Sequence, residues 1–239
     1  MKYIYGPVKS RRLGLSLGVS LTEHKTCNLD CLYCQLGKTT HRVNERREYV
    51  LIEDILAELK SWLKNNPKEA KELSYITLSG AGEPTLNSKL GELIAGLRKI
   101  SRAKIAVITN SALLAHAQVR AELKGADLIV PSLDAVDPQV FAKIDRPHPE
   151  IKLEEVIEGL VALRKEFRGK FWLEVMLISG INDGIEHINR LKKVIDRINP
   201  DKIQLNSPVR TTTESGLLPV DRNKLEQIKK VLGAKAEII

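Results

Sequence analysis

Short apolar runs alternate with amphipathic stretches along almost the whole chain, and this limits the available folds more than any other feature. The runs are LSLGVSL (15–21), SYITLSG (74–80), KIAVITN (104–110), ADLIVPSLD (126–134), FWLEVMLISG (171–180) and DKIQLNSPV (201–209). Between them the helical period is plain. LIEDILAELKSWLKNN sets Ile52, Ile55, Leu56, Leu59 and Leu63 on one face. LEEVIEGLVALRKEF does the same with Val156, Leu160, Val161 and Leu163, and DGIEHINRLKKVIDRI repeats the device after Asp183. Strands this apolar suit burial on both faces, and their alternation with helices predicts parallel βαβ units. Six strands with at least five crossovers describe a β/α barrel or an open doubly wound sheet. Either fold places its site at the carboxyl ends of the strands. There the sequence reads SGAGEPT, TNS, PSLD, SGIND and QLNSP. NNPKEAKE (65–72) and RPHPE (146–150) read as polar loops, KAEII as a last strand, and residues 1–239 as a single domain.

All three cysteines fall in HKTCNLDCLYCQLGKTT (24–40), as Cys27, Cys31 and Cys34. An odd count in one local cluster argues against a disulfide framework and for metal or redox chemistry in a reducing compartment. The first residues hold no apolar signal core and no run approaches bilayer length, so a cytoplasmic protein is expected. Three thiolates spaced C-x3-C-x2-C can wrap one compact centre but cannot close a four-ligand site unaided. Either a coordination position stays open for a substrate or cofactor, or His24 completes a closed zinc or iron–sulfur site. Three unrelated core cysteines are a weaker reading, because Asn28, Asp30 and Gln35 do not read as core.

CNLDCLYC resembles the signature loop of the radical S-adenosylmethionine (SAM) enzymes. The resemblance implies a (βα)6 partial TIM-type barrel with a 4Fe–4S cluster on the three cysteines, SAM completing its coordination. It also implies that Tyr33, beside the last cysteine, packs near the adenine. SGAGEP (79–84) stands where the superfamily carries a Gly-Gly-Glu type motif, which assigns Gly80, Ala81, Gly82 and Glu83 to the methionine amino group. The departure by one small residue leaves two registers open for the motif. Thr109, Asn110, Ser132 and Asp134 resemble positions that hold the methionine and ribose parts, and Gln204 and Asn206 the adenine side. The implied chemistry is one-electron reduction by a flavodoxin- or ferredoxin-like donor. SAM cleavage then yields a 5′-deoxyadenosyl radical that abstracts hydrogen from substrate.

GPVKSRRLGLSLGV, SGAGEPTLN, IDRPHP and LEVMLISGIND extend the resemblance to a small single-cluster family often labelled as related to wyosine synthases. Wyosine synthases, methylthiotransferases and peptide-modifying enzymes with auxiliary clusters need further cysteines, and this chain has none left. Relatives of this kind often continue further, so a further substrate-recognition segment is an expectation. The formal charge of +8 suggests a polyanion. An RNA substrate would use Lys9, Arg11, Arg12, Arg42, Arg46 and Arg47 as a phosphate rim, although an aromatic content of 4% leaves few stacking platforms. The alternative is a protein-modifying or glycyl-radical-activating enzyme; a non-catalytic electron carrier fits least. RPHP and SPVRTTTE are expected to close over substrate, with Arg146, His148 and Arg210 as contacts.

Overall fold

The computed structural model describes all of residues 1–239. The chain opens on a hairpin, β1 (Ile4–Ser10) running antiparallel to β2 (Gly14–Val19). A short parallel ladder of β3 (Thr26–Cys27) and β4 (His41–Arg42) then closes the stem of the cysteine loop. Helices α1 (Ile52–Asn65) and α2 (Pro67–Glu72) lead to β5 (Tyr75–Leu78). From there α3 (Leu90–Ile100), β6 (Lys104–Thr109), α4 (Ala117–Leu123) and β7 (Leu128–Pro131) alternate. Helices α5 (Pro138–Ile144) and α6 (Leu153–Glu166) precede β8 (Lys170–Met176). The chain closes with α7 (Ile185–Ile198), β9 (Lys202–Asn206), α8 (Arg222–Leu232) and β10 (Ala236–Ile238).

The sheet order is β1-β2-β5-β6-β7-β8-β9-β10, parallel from β2 onward. This is the partial TIM-type barrel, with the six expected strands in sequence order and one further strand at each edge. Because the order is linear, β1 and β10 are free edges and the barrel stays open between them. Strand β1 escapes an apolar-pattern reading for a physical reason. Of its seven residues only Ile4 is buried, and a register shift between Tyr5 and Val8 breaks the alternation. Residues 67–72 correct the polar-loop reading: Pro67 starts α2 at its first position, and no residue of that helix is buried. Nothing apolar could have announced it.

The outward sheet face packs on the helices through Leu17, Leu78, Val107, Leu173, Leu93 and Ile188, all fully buried. In α1, Trp62 joins Ile52, Ile55 and Leu59 in the core, while Leu56 and Leu63 are only partly buried. The inward face is divided by height. Leu13, from the β1–β2 turn, packs with Tyr75, Ala106, Leu128, Val130 and Trp172 to plug the barrel floor. Above it the inward positions turn polar, beginning with Ser16 Oγ and Thr77 Oγ1, 2.6 Å apart.

Candidate active site

The cysteine loop is held along its length by backbone hydrogen bonds from distant chain. Asp30 N–H donates to the Asp145 carbonyl (3.0 Å), Leu32 N–H to Ile144 (2.9 Å) and His148 N–H to Asn28 (2.8 Å). Pro147 bridges to Leu29. The RPHP segment is therefore a rail for the loop, which corrects its reading as a flap. From the other side Thr213 Oγ1 donates to the Cys34 carbonyl at 3.0 Å and Glu214 N–H to Leu32 at 3.1 Å. Arg146 pairs with Glu214 at 2.6 Å and so ties the two segments together instead of facing substrate.

Cys27, Cys31 and Cys34 are free, half-buried thiols. Burial, then the nearby Glu83 carboxyl, pushes the Cys27 thiol up to about 12; burial and Asp145 push Cys31 well above its usual value. Asn110 Nδ2 lies 3.5 Å from Cys27 Sγ and donates to Asn28 Oδ1 at 2.7 Å, while the Cys31 thiol donates to Asp145 Oδ1 at 3.4 Å. The Tyr33 hydroxyl donates to Asp134 Oδ2, and Asp134 Oδ1 accepts from Met176 N–H at 2.8 Å. Burial raises the Asp134 carboxyl to about 7 and holds the Tyr33 hydroxyl and the Asp145 carboxyl well above their usual ranges.

The strand-end residues divide into two groups. Asn110 and Tyr33 lie at the cysteine loop, and Asn206 and Tyr33 line the barrel cavity. Ser132 stays half-buried at the end of β7, its N–H on the Thr109 carbonyl at 2.9 Å. Glu83, by contrast, is enclosed. Its Oε1 accepts from Thr85 N–H (3.0 Å), Thr85 Oγ1 (2.6 Å) and Thr109 Oγ1 (2.6 Å), and its Oε2 from Asn110 N–H (2.8 Å). Glu83 and Thr109 thus clamp the ends of β5 and β6 together. Gly82 also serves the scaffold, since a Cβ there would fall 1.7 Å from the Thr26 carbonyl oxygen. Gly80 has φ +106°, a backbone that favours glycine, and Ala81 N–H donates to Ser20 Oγ at 3.1 Å. Gln204 is buried between Arg12 (3.4 Å) and Glu237 (2.9 Å).

A cavity of about 510 Å³ rises from the floor to Tyr33 and Cys34. Within it Arg12 is ion-paired with Glu174, which also accepts from Asn206 Nδ2 at 3.3 Å. Glu174 was legible only as a lone charge inside the apolar run FWLEVM. The expected phosphate rim loses two members. Arg12 points into the barrel, and Arg46 is held by the Thr85 carbonyl (2.8 Å) and Glu122, with both charged side chains mostly buried. Arg47 stacks on Tyr49 at 4.6 Å, Arg42 is exposed, and Lys9, Arg11 and Arg210 line the cavity. His24 is exposed.

A parallel partial barrel with three free thiols in a railed loop over its carboxyl-end cavity defines a class. Residues 24–191 match the Radical SAM superfamily, and the chain belongs to it as an enzyme of that class. It belongs equally with the UPF0026 proteins: that of Methanocaldococcus jannaschii is 36% identical over 100% of this chain and 73% of its own length. A Brachyspira hyodysenteriae protein named GTPase Obg is 38% identical over 99% of this chain, which spans only 34% of that relative. Among solved structures, a radical SAM methyltransferase from Sphaerobacter thermophilus superposes with a TM-score of 0.71 at 16% identity, covering 94% of this chain and 65% of that one. Archaeal TYW1 superposes with a TM-score of 0.61 at 21% identity, over 92% of this chain and 72% of its own.

Superfamily membership implies a 4Fe–4S cluster and SAM. The residues present fit them. Three thiols with no fourth leave a coordination position open, and the fully buried Asn28 Nδ2 has no acceptor within the protein. A sulfur-rich anionic centre beside it supplies one. No helix is long and apolar enough to cross a membrane.

Proposed function

We propose that Cys27, Cys31 and Cys34 hold the 4Fe–4S cluster, and that the enzyme abstracts hydrogen from an anionic substrate, an RNA nucleoside, seated in the barrel cavity. Bound there, the cluster and SAM would supply radical hydrogen-abstraction chemistry, with the electron coming from a flavodoxin- or ferredoxin-like donor. The observation that carries the substrate reading is the charge of the cavity wall. With Arg12 paired to Glu174, Lys9, Arg11 and Arg210 remain as cations along the cavity lining. Tyr5 adds a stacking surface that composition alone underrates. Its ring lies over Gly18, where a Cβ would come within 2.1 Å of it, its hydroxyl meets Ser79 Oγ at 2.6 Å, and 41% of the residue is exposed.

The chain's own residues then have separable tasks. Asn110, Asp145 and the two rails hold the thiols, Asn206 and Tyr33 flank the cofactor space, and Lys9, Arg11 and Arg210 draw in phosphate. The protein-modifying reading keeps one observation in its favour: Val8, Leu36 and Val209 are exposed apolar side chains on segments that border the site. The reduced, cluster-loaded enzyme incubated with SAM and either cell RNA or cell protein separates the two. RNA should stimulate 5′-deoxyadenosine formation, with each of Cys27→Ala, Cys31→Ala and Cys34→Ala inactive. Stimulation by protein alone overturns the RNA reading and favours a radical activase.

A further inference from the structure

Lys25 is the only lysine or arginine among the buried residues, at 2% exposure. Its ammonium donates to the Gly37 carbonyl at 2.6 Å, tying the far end of the cysteine loop back to its stem. It takes part in none of the protein's ion pairs. Removing an ammonium from water without a counter-charge is costly, and one carbonyl dipole does not offset it. Lys25 lies two positions before Cys27, and the Gly37 carbonyl that holds its ammonium lies three positions past Cys34, so the cation is fixed inside the loop that carries the thiols.

We propose that Lys25 is a fixed counter-charge for the cluster, and that its ammonium raises the cluster's reduction potential by stabilising the extra negative charge of the reduced state. The proposal rests on the cluster assignment above. One electron enters from the flavodoxin- or ferredoxin-like donor, no bond breaks, and the added charge is met by a cation that is already desolvated. Net charge and hydrogen bonding around the sulfurs are recognised controls of such potentials. Lys25 is therefore a positioning and tuning residue rather than a catalytic one.

The test is a redox titration of the reconstituted holoenzyme, followed by electron paramagnetic resonance, for wild type, Lys25→Gln and Lys25→Arg. Gln keeps a donor for the Gly37 carbonyl without the charge; Arg keeps the charge. The reduction equilibrium should weaken about tenfold in Lys25→Gln, a midpoint about 59 mV more negative for one electron, and stay near wild type in Lys25→Arg. Equal midpoints in wild type and Lys25→Gln overturn the proposal. If only Lys25→Gln fails to load iron, the charge serves assembly instead of the potential, and the proposal falls. If both variants fail to load, the role is shape and the proposal falls. A wild type that takes up no cluster defeats the site assignment itself and removes the premise.

Discussion

At Asp134 two physical effects oppose each other. Desolvation raises its carboxyl to about 7, while the Met176 N–H and the Tyr33 hydroxyl pull it down. The folded value lies above the ordinary 3.8, so the folded state binds the extra proton. Its stabilising contribution is complete below that ordinary value and is lost as pH rises through about 7. Asp134→Asn keeps the shape and removes the titration. The melting temperature of the cluster-free protein should fall less between about pH 5 and 8 in the variant than in wild type. Parallel curves would show that Asp134 ionises normally. The three thiols proposed to hold the cluster were legible because their chemistry is concentrated in one loop, whereas Arg12 and Glu174 were not, since that pair spans 162 positions and needs the barrel to bring it together.

Among the elements, the cysteine loop and the β5 end form one unit, and two glycines separate its causes. Gly37 has φ +83° and open space within 4 Å of where a Cβ would stand, so Gly37→Ala meets backbone strain alone, about 1–2 kcal/mol. Gly82→Ala drives a Cβ onto the Thr26 backbone and should cost about 3 kcal/mol in urea unfolding. Iron loading should drop in Gly82→Ala and hold in Gly37→Ala; equal loading would mean the β5 end does not seat the loop. The parallel strands and the long helices were readable because burial imposes a period on them. Strand β1 and helix α2 bury almost nothing, so their order rests on a bulged pairing and on Pro67, and neither leaves an apolar pattern.

Across the whole molecule, the excess positive charge divides into structural and free cations. Arg46→Ala strands Glu122 and should cost about 1.5–3 kcal/mol of stability. The double variant Lys9→Ala/Arg11→Ala should change stability by no more than about 0.5 kcal/mol. It should, however, flatten the salt dependence of RNA binding by a slope of about 0.7 for each phosphate no longer neutralised. A salt slope unchanged from wild type would remove these cations from the substrate path. Fold order and cofactor class were legible at this scale; substrate was not, because which cations stay free is decided by tertiary pairing. The rails of the cysteine loop also set an order in time. Asn110, Asp145 and Glu214 all lie far downstream of the thiols they hold. A ribosome making this chain releases the cysteines first and the groups that shelter them last. Throughout synthesis the thiols stand without those groups, open to stray zinc and to oxidants.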